Sequence, residues 1–152
     1  MKKIAVFPGT FDPITLGHTD IVQRAAGIFD EVVVAVGRNS KKQNLFPLEQ
    51  RMGWIRDIFQ GHPGIRVESY EELTVAFCRK IGASYIVRGL RTSGDFEYEA
   101  HLAQVNRKLD ASIETIFLIT SPELNNISST VVRDIMVYGG DYTPFVPSVV
   151  RP

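Results

Sequence analysis

Five short apolar runs recur along the chain, and segments with helical periodicity separate them. The runs are rich in β-branched and aromatic residues and cover residues 4–7, 32–36, 65–68, 85–87 and 115–119. Strands that alternate with helices predict a parallel sheet, because each parallel neighbour needs a crossover connection of helical length. Helices then cover both faces of such a sheet. We therefore expect an α/β fold: a doubly wound five-stranded parallel sheet with helices on both faces.

The segments between the runs place apolar residues three or four positions apart, as on one face of a helix. This spacing predicts helices within residues 21–29, 48–59, 73–81, 96–109 and 131–136. Pro47 suits the start of the second helix, and Gly82 suits the end of the third. The chain has 152 residues without an internal repeat or linker, so we expect residues 1–152 to form a single domain. The proline-rich tail from Gly139 predicts loop or short turns, with a packing role against a neighbouring subunit.

The charge balance limits the partners that the chain can attract. Lysine plus arginine and aspartate plus glutamate each number 17, so no global field favours nucleic acid or an anionic membrane, and we expect neither as a partner. The single cysteine, Cys78, excludes an intramolecular disulfide and fits a reducing compartment. The N-terminal apolar run is too short for a signal peptide, and no run of about 18 apolar residues occurs. These features predict a cytoplasmic protein.

Polar and cationic residues follow each of the five predicted strands. The carboxyl ends of parallel strands meet at one edge of the sheet, where ligands of such folds bind. In a chain without net charge, cations gathered at that edge predict a local polyphosphate site. The residues that follow the strands are, in chain order, Thr10 and His18; Arg38, Lys41 and Lys42; Glu71, Glu72, Leu73 and Thr74; Arg88, Gly89, Leu90 and Arg91; and Thr120, Ser121, Ile127, Ser128, Ser129 and Thr130.

Several of these residues also have purely structural interpretations. His18, at a predicted helix start, either faces a phosphate held by backbone N–H groups or is satisfied by a backbone carbonyl. Lys41 and Lys42 either bind an anion or lie on a solvated loop. One residue of the Ser128-Ser129-Thr130 run is expected to cap a helix, which is compatible with phosphate binding. Arg88 ends an apolar strand, and burial of its charge requires an anion.

Four motifs together resemble the bacterial phosphopantetheine adenylyltransferases, which belong to a nucleotidyltransferase superfamily with an (H/T)xGH motif. They are Thr15-Leu16-Gly17-His18, Arg88-Gly89-Leu90-Arg91, Asp95-Phe96-Glu97-Tyr98-Glu99 and Ile127-Ser128-Ser129-Thr130. The first motif is shared with other adenylyl- and cytidylyltransferases, whereas its combination with the second and third is more selective. The resemblance extends from the first strand to about Phe145. The basic residue that follows the serine-rich motif in the family is Arg133 here, and an ungapped match favours Lys42 over Lys41 as the family's acceptor-binding lysine.

The resemblance implies a Rossmann-like nucleotidyltransferase fold and transfer of AMP from ATP to 4′-phosphopantetheine, giving dephospho-coenzyme A and pyrophosphate. The acceptor phosphate would attack directly, without a covalent intermediate. The implied catalytic residues are His18, Thr10 and Lys42; the implied acceptor-binding residues are Thr10, Lys42, Thr74 and Arg88; and the implied ATP-binding residues are Thr10, Phe11, His18, Gly89, Leu90, Arg91, Glu99, Leu124, Asn125, Asn126, Ile127, Ser128, Ser129 and Thr130.

The resemblance also implies further ligands and an assembly. Glu99 is expected to act on the ATP side, directly or through Arg91. Mg²⁺ is the implied cofactor, carried by the ATP phosphates and water, with no metal ligand from the protein. Coenzyme A is implied as a feedback ligand, and a homohexamer as the assembly.

Other functions stay open at this point. The nearest is adenylyl or cytidylyl transfer to another phosphorylated acceptor, such as nicotinamide mononucleotide or a phosphorylated polyol. A non-catalytic nucleotide-binding regulator is an alternative from another class. A dinucleotide-dependent oxidoreductase is disfavoured, because Pro8-Gly9-Thr10-Phe11-Asp12-Pro13 stands where G-x-G-x-x-G is expected. A P-loop NTPase is disfavoured by the lack of a G-K-[ST] sequence.

Overall fold

The computed structural model describes residues 1–39 and 41–152, and its centre is a parallel sheet of five strands. The strands are β1 (Ile4–Gly9), β2 (Glu31–Gly37), β3 (Ile65–Tyr70), β4 (Tyr85–Leu90) and β5 (Glu114–Ile119). The α-helices are α1 (Leu16–Ala26), α2 (Leu48–Ile58), α3 (Thr74–Ile81), α4 (Ser93–Leu109) and α5 (Ser129–Val137), and two 3₁₀ helices cover Pro122–Leu124 and Thr143–Phe145. Each predicted strand and α-helix is therefore confirmed, with somewhat different ends.

Helices cover both faces of the sheet, as the alternating pattern predicts. On β2, Val32 and Val34 pack into one core cluster with residues of α1, α2 and α5, whereas Val33 and Ala35 pack into a second cluster with α3. This division follows from the strand pleat, which points successive side chains to opposite faces. The doubly wound α/β fold is thereby confirmed.

The strand order places a switch point beside β1. The order is β3-β2-β1-β4-β5, so the chain first builds the sheet outward from β1 in one direction and then returns to extend it in the other. Crossovers on the two sides of β1 and β4 leave on opposite faces, which opens a crevice beyond the carboxyl ends of these two strands. A ligand site is expected in that crevice.

Three helix ends form as the local sequence predicts. Pro47 occupies the position before the first turn of α2, and Gly82 ends α3 with a left-handed φ of 76°. Glycine is suited to that backbone region because a Cβ atom would strain it. The side chain of Ser128 caps α5 by accepting a hydrogen bond from the backbone N–H of Val131 at 3.2 Å.

Helix α4 carries a stripe of exposed apolar residues. Tyr98, Leu102, Val105 and Leu109 recur at helical spacing and are between 37% and 65% exposed. The buried residue of α4 is Glu99. Among the described residues, none of the helices is both long and apolar enough to cross a membrane.

The C-terminal tail packs on the chain's own core. Val146 is 3% exposed and Val150 is fully buried, and both belong to the cluster that contains α1, α2 and α5. The tail has the predicted loop and short-turn structure, with the 3₁₀ helix Thr143–Phe145 as its ordered turn. Its apolar residues therefore have a partner within this chain.

Candidate active site

A cavity opens where β1 and β4 separate. The two strands pair only through Ala5 with Tyr85 and Val6 with Ile86, although β1 continues to Gly9 and β4 to Leu90. Beyond these pairs a cavity of about 350 Å³ lies at the switch point. Its lining residues are Phe7, Pro8, Gly9, Thr10, Phe11, Asp12, Thr15, Gly17, His18, Ile21, Lys42, Arg88, Gly89, Arg91, Asp95, Glu99, Thr120, Ile127, Ser128, Ser129, Thr130 and Arg133.

His18 lies in this cavity with a fixed ring orientation. It is the third residue of α1, and its Nδ1 accepts a hydrogen bond from the backbone N–H of Thr15 at 3.0 Å, while Thr15 Oγ1 accepts from the backbone N–H of His18 at 3.4 Å. Because Nδ1 accepts, a neutral ring carries its proton on Nε2. The alternative in which a backbone carbonyl satisfies His18 is therefore wrong: the backbone partner is an N–H group, and Nε2 stays available as a donor.

The imidazole of His18 is held neutral. Burial, with smaller contributions from the positive charges of Arg88 and Arg91, lowers its pKa from the ordinary 6.5 to about 4. Burial and nearby cations both disfavour a protonated ring. The ring also packs edge-on against Phe11, with centroids 4.9 Å apart. His18 therefore presents an uncharged N–H donor to the cavity at neutral pH.

Thr10 and Lys42 approach each other across the mouth of the cavity. Thr10 follows β1 directly, and Lys42 lies on the loop between β2 and α2. The Nζ atom of Lys42 donates to Oγ1 of Thr10 at 3.4 Å. Lys42 lines the cavity, whereas the contact recorded for Lys41 is made by its backbone N–H, which donates to Asn39 Oδ1 at 3.0 Å. The geometry thus favours Lys42 over Lys41 as the lysine of the site.

Arg88 crosses the gap between β1 and β4 and carries its own counter-ion. Its Nη1 donates to the carbonyl of Pro8 at 2.7 Å, and its Nε donates to Glu99 Oε2 at 2.9 Å, with a second bond from Nη2 to Glu99 Oε1. The partly buried charge of Arg88 is therefore already paired with the carboxylate of Glu99, before any ligand binds. These described contacts leave two of the five guanidinium N–H groups for a ligand.

Two arrangements are expected for Glu99, direct action or action through Arg91, and among the described residues the structure shows no contact between Glu99 and Arg91. Arg91 pairs with Asp95, whose Oδ2 accepts from Arg91 Nε at 3.2 Å, and Arg91 Nη1 donates to the carbonyl of Ile127 at 3.2 Å. The alternative through Arg91 is therefore wrong, because Glu99 pairs with Arg88 on β4 while Asp95, four residues after Arg91, pairs with Arg91; the direct role of Glu99 stays a prediction. The two arginines are thus held by separate carboxylates.

The start of α5 adds backbone N–H groups and a further cation. Ser129 Oγ donates to the carbonyl of Pro13 at 2.8 Å, which fixes this helix against the first turn. Arg133 Nη1 donates to the carbonyl of Asp12 at 2.9 Å, and its Nη2 donates to Thr130 Oγ1 at 3.2 Å. The positive end of a helix dipole beside these groups favours an anionic ligand.

A second, smaller cavity adjoins the first. It measures about 220 Å³ and shares Pro8, Gly9, Thr10, Arg88 and Glu99 with the larger cavity. Its other lining residues are Gly37, Tyr70, Thr74, Ile86, Leu102, Ala103, Asn106 and Thr115. Two ligands in the two cavities would therefore meet beside Thr10 and Arg88.

Four of the predicted ATP-binding residues lie outside the lining of the larger cavity. They are Leu90, Leu124, Asn125 and Asn126. Leu73, which follows the third predicted strand, is 64% exposed and lines neither cavity. Gly89 does line the larger cavity, and a Cβ atom there would lie 3.1 Å from Ile21 Cγ1, so close packing of β4 on α1 also requires its glycine.

Several residues of the larger cavity have no role assigned from the sequence, among them Asp12, Ile21 and Asp95. Asp95 follows Arg91 by four positions at a helix start, a spacing that favours an ion pair and could have identified it. Asp12 and Ile21 carry no comparable signal, because their place in the cavity depends on the packing of loops and helices.

The carboxylates of the cavity are all engaged by protein donors. Asp12 accepts from backbone N–H groups, Asp95 from Arg91 and Glu99 from Arg88. Within residues 1–39 and 41–152, no group of three or more His, Cys, Asp or Glu side chains is arranged to hold a metal ion. The donor set of this cavity, rich in cations and N–H groups, suits phosphate oxygens.

Comparison with known proteins identifies the family of the chain. The sequence model of the family described as Cytidylyltransferase-like matches residues 6–135. A phosphopantetheine adenylyltransferase from Flavobacterium psychrophilum is 49% identical over 99% of this chain and 99% of its own length. One from Bacteroides fragilis is 51% identical over 94% of this chain and 95% of its own length.

Two solved structures share the fold at low sequence identity. A protein assigned as a nicotinate-nucleotide adenylyltransferase from Vibrio parahaemolyticus superposes with a TM-score of 0.72 at 20% identity, covering 98% of this chain and 90% of that one. A bifunctional NMN adenylyltransferase/ADP ribose pyrophosphatase from Francisella tularensis superposes with a TM-score of 0.65 at 20% identity, covering 91% of this chain and 42% of that one. The predicted Rossmann-like nucleotidyltransferase fold is confirmed. By near-full-length sequence identity, the chain belongs to the phosphopantetheine adenylyltransferases, within the cytidylyltransferase-like family.

Proposed function

We propose that this chain transfers the adenylyl group of ATP to 4′-phosphopantetheine, giving dephospho-coenzyme A and pyrophosphate in coenzyme A biosynthesis. The observation that carries the proposal is the pair of adjoining cavities that meet beside Thr10 and Arg88. One cavity gathers the donors for a nucleotide triphosphate, and the other offers space for the acceptor's arm. Near-full-length identity to enzymes of that name supports the choice of acceptor.

The reaction is a direct in-line displacement. An oxygen of the acceptor phosphate attacks the α-phosphorus of ATP, a new P–O bond forms, and the bond to the bridging oxygen of pyrophosphate breaks. Because the acceptor phosphate is already anionic at neutral pH, the step needs no general base. The protein's task is to align two anions and stabilise the charge that develops on the α-phosphate.

His18 and Thr10 are the groups that we assign to the α-phosphate. The Nε2–H of His18 and the hydroxyl of Thr10 would donate to its non-bridging oxygens as they gain charge. A neutral donor suits this role because it gives up no proton to the phosphate, and its orientation is fixed by Thr15 before the substrate arrives. One such donor is worth about 3–4 kcal/mol of transition-state stabilisation.

The cations divide between the two substrates. Lys42, beside Thr10, would bridge the acceptor phosphate and the ATP phosphates, which repel each other. Arg88 would hold the acceptor with its two remaining N–H groups, and Thr74 would contact the pantetheine arm in the smaller cavity. Arg91 and the Ser128–Thr130 start of α5 would hold the β- and γ-phosphates.

Mg²⁺ is proposed as part of the ATP complex. The carboxylates of the cavity are occupied by protein donors, so phosphate oxygens and water would supply the metal's ligands. This agrees with the preference of Mg²⁺ to keep several waters in nucleotide sites. The metal would neutralise phosphate charge as pyrophosphate leaves.

A panel of acceptors tests the function. Purified protein is incubated with ATP and each of 4′-phosphopantetheine, nicotinamide mononucleotide, nicotinate mononucleotide and a phosphorylated polyol, and pyrophosphate release is measured. We expect turnover with 4′-phosphopantetheine to exceed turnover with each other acceptor by more than about 10²-fold. The reason is that a wrong acceptor leaves polar groups of the site without hydrogen-bond partners. ATP binding without pyrophosphate release from any acceptor would instead favour a non-catalytic nucleotide-binding regulator.

The assembly proposed for the chain is a homohexamer in the cytoplasm, with coenzyme A as a feedback ligand of the same site. The exposed apolar stripe of α4, made by Tyr98, Leu102, Val105 and Leu109, supports self-association, because a stripe of this kind rarely stays in contact with water. Val105→Asp should lower the mass measured by light scattering if a second copy covers α4. An unchanged mass in that variant would remove α4 from the interface.

A further inference from the structure

We propose that Arg51 and Asp12 together form a buried clamp that positions Lys42 against Thr10 for adenylyl transfer. The inference rests on the bridging role proposed above for Lys42. Neither Arg51 nor Asp12 is assigned a substrate contact in that reaction. Both act on the backbone that carries the reacting groups, so they are positioning residues.

Arg51 joins three segments that surround the mouth of the cavity. Its side chain lies on α2, and the residue is only 2% exposed. Its Nε donates to the carbonyl of Phe46 at 3.0 Å, and its Nη1 donates to the carbonyl of Thr10 at 2.8 Å and approaches that of Gly37 at 3.5 Å. One guanidinium thus links the Lys42 loop, the turn after β1 and the end of β2.

Asp12 binds the backbone of the same loop through its carboxylate. The residue is 3% exposed, and its carboxylate accepts from the backbone N–H of Leu45 at 2.8 Å and from that of Phe46 at 2.9 Å. The peptide groups at positions 45 and 46 are therefore held through their N–H groups by Asp12 and through a carbonyl by Arg51. This section of backbone begins three residues after Lys42.

The clamp fixes both partners of one contact. Arg51 binds the carbonyl of Thr10 itself, and Lys42 Nζ lies 3.4 Å from the hydroxyl of the same residue. A shift of the loop relative to the turn would change this distance directly. Misplacement of a catalytic group by about 1 Å can lower a rate by about 10²-fold.

Stability alone does not explain why the charges of Arg51 and Asp12 are buried, because removing charges from water costs free energy. Desolvation lowers the pKa of Arg51 from its ordinary value, and the negative charge of Asp12 opposes that shift. A well-packed apolar residue often stabilises a core as well as a buried charge does. A planar fork of N–H donors, however, can bind several carbonyls in a fixed geometry, which an apolar side chain or a lysine cannot do.

Two substitutions test the clamp, and a third serves as the matched control. Arg51→Lys keeps the charge but cannot reach the three carbonyls, and Asp12→Asn keeps the shape but places an NH₂ group against a backbone N–H. Met52→Ala, in the same helix and 5% exposed, removes core packing but keeps the hydrogen bonds of Arg51 and Asp12 to the loop. Kcat and the KM values for both substrates are measured with the folded fraction of each variant checked by circular dichroism.

We expect Arg51→Lys and Asp12→Asn each to lower kcat by about 10-fold to 10²-fold, with KM for ATP changed by less than about twofold. Amide hydrogen exchange at Leu45 and Phe46 should accelerate in both variants. Met52→Ala should keep its kcat. If Arg51→Lys fails to fold, Asp12→Asn decides by the same criteria, and full activity in the folded clamp variants would overturn the proposal.

A double-substitution cycle with Lys42→Ala separates positioning from a general structural effect. If the clamp acts through Lys42, Arg51→Lys and Asp12→Asn should lower kcat no further in the Lys42→Ala background. Effects that multiply would show that the clamp acts on a group other than Lys42 and would overturn the inference. If Lys42→Ala alone leaves kcat unchanged, the role proposed for Lys42 is wrong. If Lys42→Ala lowers kcat but the clamp variants keep the wild-type kcat, only the clamp inference is wrong.

Discussion

The low pKa of His18 predicts a specific loss of stability below neutral pH. In the folded chain the pKa falls to about 4, whereas an unfolded chain keeps the ordinary value of 6.5. Between these values the unfolded state binds more protons than the folded state. The stabilising contribution of neutral His18 is therefore fully present above pH 6.5 and is lost as the pH falls towards 4.

The size of this effect follows from the shift. A fall of the pKa from 6.5 to about 4 corresponds to a maximum of about 3 kcal/mol. At pH 5 the linkage relation gives about 2 kcal/mol relative to pH 8. This is a large share of the stability of a typical domain, about 5–15 kcal/mol, so it is measurable.

His18→Asn isolates the contribution. The Oδ1 atom of asparagine can take the place of Nδ1 and accept the N–H of Thr15, but the side chain does not titrate. Urea unfolding of both proteins is measured from pH 8 to pH 5 at one protein concentration, so that self-association contributes equally. We expect the wild-type free energy of unfolding to fall about 2 kcal/mol further than that of the variant. Parallel pH curves would refute the assignment of a depressed pKa to His18.

Three further predictions concern single side chains. His18→Ala should lower kcat at least about 10²-fold with little change in ATP affinity, because it removes a donor to the α-phosphate; near-normal turnover in steady-state assays would contradict this role. Arg88→Ala should weaken 4′-phosphopantetheine binding by about 1.5–3 kcal/mol in titration calorimetry, and unchanged affinity would reject the acceptor contact. Burial raises the pKa of the Cys78 thiol to about 12, so a thiol reagent should label native protein only as fast as Cys78 becomes exposed by opening; immediate labelling in buffer would contradict its burial.

The fold follows from periodicities that local sequence carries directly. The valines of β2 alternate between two core clusters because a strand points successive side chains to opposite faces, and this pattern is visible as a continuous apolar run. The convergence of Thr10, His18, Arg88 and Ser128 was also predictable. It follows from a topological rule that places all carboxyl strand ends at one edge, and the cavity lining agrees with it.

The pairing of charges was not predictable in the same way. Glu99 follows Arg88 by eleven residues, and their contact depends on how α4 packs on β4, which no local spacing encodes. Asp95 and Arg91 are four residues apart, so their pair carries a local signal. Arg51 had a signal too: it lies three residues after Leu48 and four before Ile55, on the apolar face of α2, where an arginine must have buried partners.

The cations of the site differ in how firmly the protein holds them, and this difference fits their proposed tasks. Arg88, Arg91 and Arg133 each bind backbone carbonyls, and the first two also bind a carboxylate, so their donors are oriented before substrate arrives. Preorganised donors of this kind suit groups whose charge stays in one place, such as the phosphates at the two ends of the reacting pair. In the described part of the chain, the side-chain contact of Lys42 is one 3.4 Å hydrogen bond to Thr10. A lysine on a flexible stem can follow charge as it passes from the acceptor phosphate to the α-phosphate and pyrophosphate. A flexible side chain reaches the phosphates reliably only if the backbone that carries it is fixed. The buried Arg51–Asp12 clamp fixes the loop, and the side chain of Lys42 stays free to move on it.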